Sequence, residues 1–403
     1  MLTLASSAGA CTLLRSLDEL GNGVAPIGDE ASLGDGGDAS PLPLDGALID
    51  VAPPVCGPEI DLESDPKNCH VCGRACLDDD PCEKGACRFA STADEGTELA
   101  LGGGWLAYAD GQSIWARKTT GGERLFVKDT NATIGRIATN GAHVYWTTEG
   151  SAGGVFRCAL PTCTNVETLA SPVVHPQDIV LDGPNVYWSN SGGFYRCGFN
   201  RPVGNITVAN LDGTNKRAFI TQATPIESVT DITQLHIRAP YMYWATDTCG
   251  FDGGSTQAQL WRQPLAGGQP GVQLAGVGVC QFLDLTGDDS DLHYGCEYTR
   301  VATTPYAPQS GAKQWSTKGL RFPRVASDGT RVYWTVDTDP DPDAGTPGAR
   351  FVYAQKKTNA SATTPETVWT KSGTNRGLRA ITVDDRWIYV ADPDDRRIRA
   401  IAR

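Results

Sequence analysis

The chain has 403 residues, among them 46 Gly, 10 Trp, 12 Tyr and 13 Cys against 2 Met. Helix-length amphipathic runs are hard to find, so the composition speaks for an all-β chain of one large repeat domain with accessory segments. The net charge of −13 belongs to one end: residues 1–95 carry 18 acidic and 5 basic residues, whereas residues 96–403 carry 29 of each. A neutral repeat domain offers no field for a polyanion, which speaks against nucleic acid as a partner, and the cysteine count points to an oxidising compartment.

Residues 1–11, MLTLASSAGAC, are mildly apolar and end in Ala8-Gly9-Ala10-Cys11. That ending resembles a bacterial lipobox, in which small residues precede a lipidated cysteine. The resemblance implies a truncated lipoprotein signal with Cys11 as the anchor point. Ten residues without Lys or Arg are too few for a whole signal, so the signal is expected to extend upstream. The alternative is an ordinary terminus with a lone cysteine. No other apolar stretch approaches membrane-spanning length, so a membrane enters only through such an anchor. Residues 12–55 form an acidic linker rich in Gly, Pro and Asp, too poor in apolar surface to offset its ordering entropy. A disordered tether is expected there.

Residues 56–88 form a six-cysteine module, with Cys56, Cys69, Cys72, Cys76, Cys82 and Cys87 among Asp, Pro, Asn and Gly. So small a segment lacks a core, and an even cysteine count permits three disulfides. A zinc site at Cys69-x2-Cys72 with His70 is the competing reading, weakened because no second such pair follows. The run Asn68 to Cys76 resembles an N-C-x-x-C-G-x-x-C module of predicted secreted bacterial lipoproteins, which implies no activity.

Residues 89–403 carry the repeat. Its aromatic centre is Val144-Tyr145-Trp146, repeated as Val186-Tyr187-Trp188, Met242-Tyr243-Trp244 and Val332-Tyr333-Trp334. Weaker copies are Leu106-Ala107-Tyr108, Leu292-His293-Tyr294 and Ile388-Tyr389-Val390. The intervals of 38, 42, 56, 50, 40 and 56 residues are the length of a four-stranded blade with loop insertions, so a seven-bladed β-propeller is predicted, with six blades as the alternative. Apolar inner strands such as Ile137-Ala138-Thr139 precede each centre, joined to it by turns such as Asn140-Gly141. The third unit, Val186-Tyr187-Trp188-Ser189-Asn190 followed by Ala209-Asn210-Leu211-Asp212-Gly213, resembles the YWTD-type propeller repeat. It departs from that family where Thr148, Asn190, Thr246 or Val336 replaces the Asp, and in counting seven units against six. The last unit stops after three strands, so the ring needs an outer strand from around Arg88-Phe89-Ala90. Cys158 with Cys163, Cys197 with Cys249, and Cys280 with Cys296 are the expected loop staples.

One residue before each inner strand falls in register: Glu98, Arg136, Asp178, Gln234, Asp284 and Arg324, with Ala380 breaking the series. These side chains should converge on one mouth of the central channel, with His175 nearby as a candidate base. They form either a site for a small polar ligand or metal, or pairs that cap backbone groups. Asp337, Asp339, Asp341 and Asp343 alternate as in calcium loops, but two prolines and a missing Gly favour a solvated loop. No elbow serine, zinc-binding helix motif or phosphate loop is present, so catalytic residues and cofactors are not predicted. The expectation is an exported monomeric module that binds a protein or glycan. The alternative is a lyase- or lactonase-like enzyme working in the channel, with or without a metal.

Overall fold

The aromatic repeats become the second strands of seven antiparallel sheets. This computed structural model describes residues 56–93, 98–150, 152–190, 204–220, 230–249, 256–267, 271–279, 282–296, 300–306, 313–316, 323–338, 348–357, 365–372 and 377–403. Blades 1 to 6 span residues 99–129, 134–173, 176–218, 230–279, 282–316 and 325–372, each with four strands ordered from inside to outside as in the sequence. Blade 7 takes three strands from residues 381–402. The inner strands touch in a closed cycle, and that of blade 7 reaches that of blade 1. The chain is therefore a seven-bladed β-propeller.

Adjacent residues of a strand point to opposite faces, and in a propeller both faces meet a neighbouring blade. The motif Val-Tyr-Trp uses this directly. Tyr145 of blade 2 shares a buried cluster with Trp188 of blade 3, Tyr187 with Trp244 of blade 4, Tyr243 with Tyr294 of blade 5, and Tyr389 with Tyr108 of blade 1. Each tyrosine thus packs forward and each tryptophan backward, which is why the motif is apolar throughout. Trp146, Trp188, Trp244, Trp334 and Trp387 are all fully buried. Truncating such a side chain to Ala costs about 3–5 kcal/mol.

The turns before these strands are fixed by their Asx residues. Asp328 Oδ1 accepts from the Thr330 and Arg331 amides, both at 2.7 Å, and Oδ2 accepts from the Tyr333 hydroxyl at 2.7 Å. Asp384 binds the Arg386 and Trp387 amides and the Tyr389 hydroxyl in the same way. One carboxylate therefore shapes the hairpin and anchors the aromatic five residues on.

The strand Ala86–Ser91 pairs with Arg397–Ala402, with Cys87 opposite Ala400 and Ala90 opposite Ile398, and closes blade 7 from outside. Phe89 packs edge-on to Tyr389 at 5.1 Å. The cysteine module pairs Cys56–Cys72, Cys69–Cys82 and Cys76–Cys87, which leaves no thiolate among the six for zinc. It grips three blades. Arg117 of blade 1 binds Asp78 at 3.0 Å and Asp80 at 2.7 Å, and stacks on Phe89. Trp369 of blade 6 donates to the Lys84 carbonyl at 2.9 Å. A Cβ on Gly121, whose φ is +105°, would come within 2.5 Å of Asp78, so the turn carrying Arg117's anchor needs glycine.

Cys158 and Cys163 pair as expected. Cys296 is disulfide-bonded, but Cys280 lies outside the described residues, as do Cys197, the side chain of Cys249, and the calls on residues 1–55 including Cys11. Among the described residues no helix is long and apolar enough to cross a membrane.

Candidate channel-mouth site

The inner strands of blades 2 to 5 open on irregularities in pairing, between Ile134 and Ile137, Pro176 and Asp178, Ile232 and Gln234, and Phe282 and Asp284. Such bulges re-aim a side chain away from the sheet. The amides of Arg136 and Arg324 donate to Thr147 Oγ1 and Thr335 Oγ1, each at 2.9 Å, so the threonines after Trp146 and Trp334 hold the residue that enters the inner strand. Asp178, Gln234 and Asp284 occupy the same register, opposite Ser189, Ala245 and Gly295.

The charged residues do converge. Arg136 Nη1 binds Glu98 Oε2 at 2.6 Å across blades 1 and 2. Burial alone would depress the Arg136 guanidinium, yet the carboxylates of Glu98, Asp178 and Asp284 outweigh it and hold its pKa raised. Asp178 Oδ1 accepts its neighbour Ile179's amide at 2.8 Å, and Oδ2 accepts Leu235's amide in blade 4 at 2.6 Å. Asp284 repeats this with Leu285 at 3.1 Å and Val325 of blade 6 at 3.0 Å. Burial raises Asp178 to about 6, with Arg136 and the two amides pulling it back. Arg324 is lowered by burial and by Arg136. Gln234 is buried in the same ring. Ala380 leaves its place without a charge, but the adjacent Arg379 acts on Arg324 in its stead. Sequence reasoning passed over Arg379 because it stands one residue out of register.

The other candidates are held by different groups. His175 sits in a turn at φ +46° and its amide binds the Gly150 carbonyl at 3.1 Å, at the rim between blades 2 and 3. Asp337 ends the second strand of blade 6, 3.9 Å from Arg350 Nε. Burial pushes its carboxyl up to about 7, against the pull of Arg350. Asp339, Asp341 and Asp343 lie outside the described residues. The Asp392 to Asp395 turn is filled by cations. Asp392, fully buried, accepts from Arg350 at 3.0 Å, Lys371 at 3.0 Å and Arg399 at 2.9 Å.

His293 was not singled out, yet its surroundings resemble a catalytic triad: Nδ1 lies 2.7 Å from Thr303 Oγ1 and Nε2 2.6 Å from Asp288 Oδ2. The imidazole is wholly buried, Thr303 nearly so. His293 stands where blades 2, 3, 6 and 7 have tyrosine, and Asp288 where those blades have the turn Asx, so the group is the hairpin anchor in another residue type. Hydrogen bonds from His293 and Lys357 hold Asp288 well below the usual carboxylate range, outweighing its burial.

A ring of seven blades with stitched carboxylates at its mouth defines the class: a β-propeller. Among solved structures the chain is similar to the computationally designed Ika8 protein, at 9% identity and a TM-score of 0.51, over 78% of this chain and 98% of that one. It is also similar to the tricorn protease, at 9% identity and a TM-score of 0.52, over 77% of this chain and 35% of that one. Identities this low show a common fold alone. No family model and no curated protein matches the sequence.

Proposed function

We propose that the chain is a non-catalytic recognition module of the cell envelope, taking a protein or glycan on the channel-mouth face. One observation carries this reading: both oxygens of Asp178 and of Asp284 are taken by backbone amides of two blades. Carboxylates committed in this way hold blades in register and are poor general bases. Long segments separate the strands ending at Asn190 and Asp337 from those starting at Asn205 and Ala349, and long segments between the strands of a rigid scaffold suit recognition. The disulfides fit an oxidising compartment. Lipidation at Cys11, a tether over residues 12–55, kinship with YWTD-type repeats, a monomeric state and the lack of a cofactor belong to the same proposal.

The elevated pKa of Asp178 favours a second reading, an enzyme of lyase or lactonase type with Asp178 as proton donor. Asp178→Asn and Asp284→Asn separate the two. An amide presents one oxygen to two N–H donors, so a stitching role predicts a loss of about 1–3 kcal/mol and a melting temperature lower by a few degrees. Unchanged or raised melting temperatures together with lost turnover of lactones or polyuronides would overturn the recognition reading, because functional carboxylates are commonly held at a cost in stability.

A further inference from the structure

At the other end of the inner strands, blade 4 breaks the rule that its neighbours keep. The hairpin position that holds Asn140, Asp182, Asp288, Asp328 and Asp384 in blades 2, 3, 5, 6 and 7 holds Arg238 in blade 4. Tyr243, the equivalent of Tyr333 and Tyr389, therefore has no carboxylate at its hydroxyl and lies instead beside the guanidinium of Arg262. Blade 1 also lacks the Asx residue, having Gly102 there, but it has Ala107 in place of the tyrosine. Blade 4 alone therefore keeps the tyrosine without an Asx partner, and such a departure marks a place where something other than folding has set the residue.

Arg238 borders an open-sided cavity of about 430 Å³ between blades 4 and 5, a volume within the range of small-molecule sites. Three tyrosines form its floor. Tyr243 and Tyr306 are 4.8 Å apart and tilted by 49°, and Tyr241 lies 6.2 Å from Tyr243. Two guanidiniums rim it: Arg262 stacks over Tyr241 at 4.8 Å and Arg238 lies 6.0 Å from the Tyr306 ring. The floor is rigid, since the Tyr306 hydroxyl donates to the Asp288 carbonyl at 2.8 Å and Arg262 Nη1 donates to the Tyr306 carbonyl at 3.0 Å. Arg238 is 41% exposed and its acidic neighbour Asp289, at 3.6 Å, is fully exposed. An ion pair that open contributes little. Arg238 Nη1 and Nη2 also donate to the Ala239 and Asp289 carbonyls, each at 3.1 Å, which positions the guanidinium and leaves its other N–H groups to a carboxylate.

We propose that this cavity binds a carboxylate-bearing sugar, a hexuronate residue of an acidic saccharide. The negatively charged faces of the tyrosines suit the C–H edges of a pyranose ring, and the fork of a guanidinium matches a carboxylate in two parallel hydrogen bonds. The site lies away from the channel mouth and does not depend on a ligand there.

Purified full-length protein is titrated with oligogalacturonate and with the neutral galactose oligomer of equal length, following tyrosine fluorescence and calorimetric heat. The acidic saccharide is expected to bind at least tenfold more tightly than the neutral one. Arg238→Asp restores the acidic residue type of the repeat, so it should keep the wild-type melting temperature while weakening oligogalacturonate at least tenfold. Arg262→Gln should weaken it likewise. Equal binding of the two saccharides, no binding of either, or undiminished binding by a folded Arg238→Asp variant would overturn the proposal. Loss of binding with Asp178→Asn but not with Arg238→Asp would place the saccharide at the channel mouth and overturn it equally.

Discussion

Carboxylates in this molecule are distinguished less by their neighbours' charges than by which N–H groups reach them. Asp328 and Asp384 each hold a turn and a tyrosine, and Asp178 and Asp284 each hold two strands. Asp337 differs: burial raises its pKa to about 7, outweighing the pull of Arg350 and of the Leu378 amide. An aspartate whose native pKa exceeds its unfolded value near 3.8 holds its proton more tightly when folded. Its contribution is fully present below pH about 4 and is lost as pH rises through 7. Replacing it by Asn removes the buried charge. Thermal melts should therefore give wild type and Asp337→Asn nearly equal stability at pH 4, with the variant ahead by about 1–3 kcal/mol at pH 8. Parallel curves would show that Asp337 is ionised throughout.

Closure depends on one element whose sequence gives little sign of its partners. The need for an outer strand near Arg88 was legible, because three strands at the end of the chain cannot close a ring. The way it is held was not. Asp78 and Asp80 reach Arg117, and Lys84 reaches Trp369, across gaps of 37 to 285 residues. Such contacts follow from the ring and leave no local pattern. Disulfide connectivity was hidden for the same reason, since six cysteines allow many pairings. Two truncations test the element. A chain beginning at Cys56 should melt like the full-length protein, because Asp61 onward and all three module disulfides remain. One beginning at Thr92 loses the strand Ala86–Ser91, its pairing with Arg397–Ala402, and the contacts of the module with Arg117, Trp369 and Tyr389. Its melting temperature should fall by at least about 10 °C. A smaller change would mean that blade 7 closes without the module.

For the whole molecule, what was readable was whatever repeats. Val-Tyr-Trp recurs because every blade buries both faces, and the register of Glu98, Arg136, Asp178 and Asp284 recurs because every inner strand begins at the channel. What broke the repeat was harder to see: Arg379 beside Ala380, His293 in place of tyrosine, Arg238 in place of an Asx residue. Each becomes informative only once the blades are superposed and a residue can be compared with its counterparts. The account as a whole rests on a ring locked shut by a strand from its own N-terminal side. Hydrogen exchange of the amides in Ala86–Ser91 measures this most directly, since an outer strand paired with Arg397–Ala402 opens only with the ring. Protection close to that of the inner strand Ile381–Val383 is predicted, falling sharply once the module disulfides are reduced. Exchange at the rate of an unpaired segment in the oxidised protein would contradict the closed seven-bladed ring.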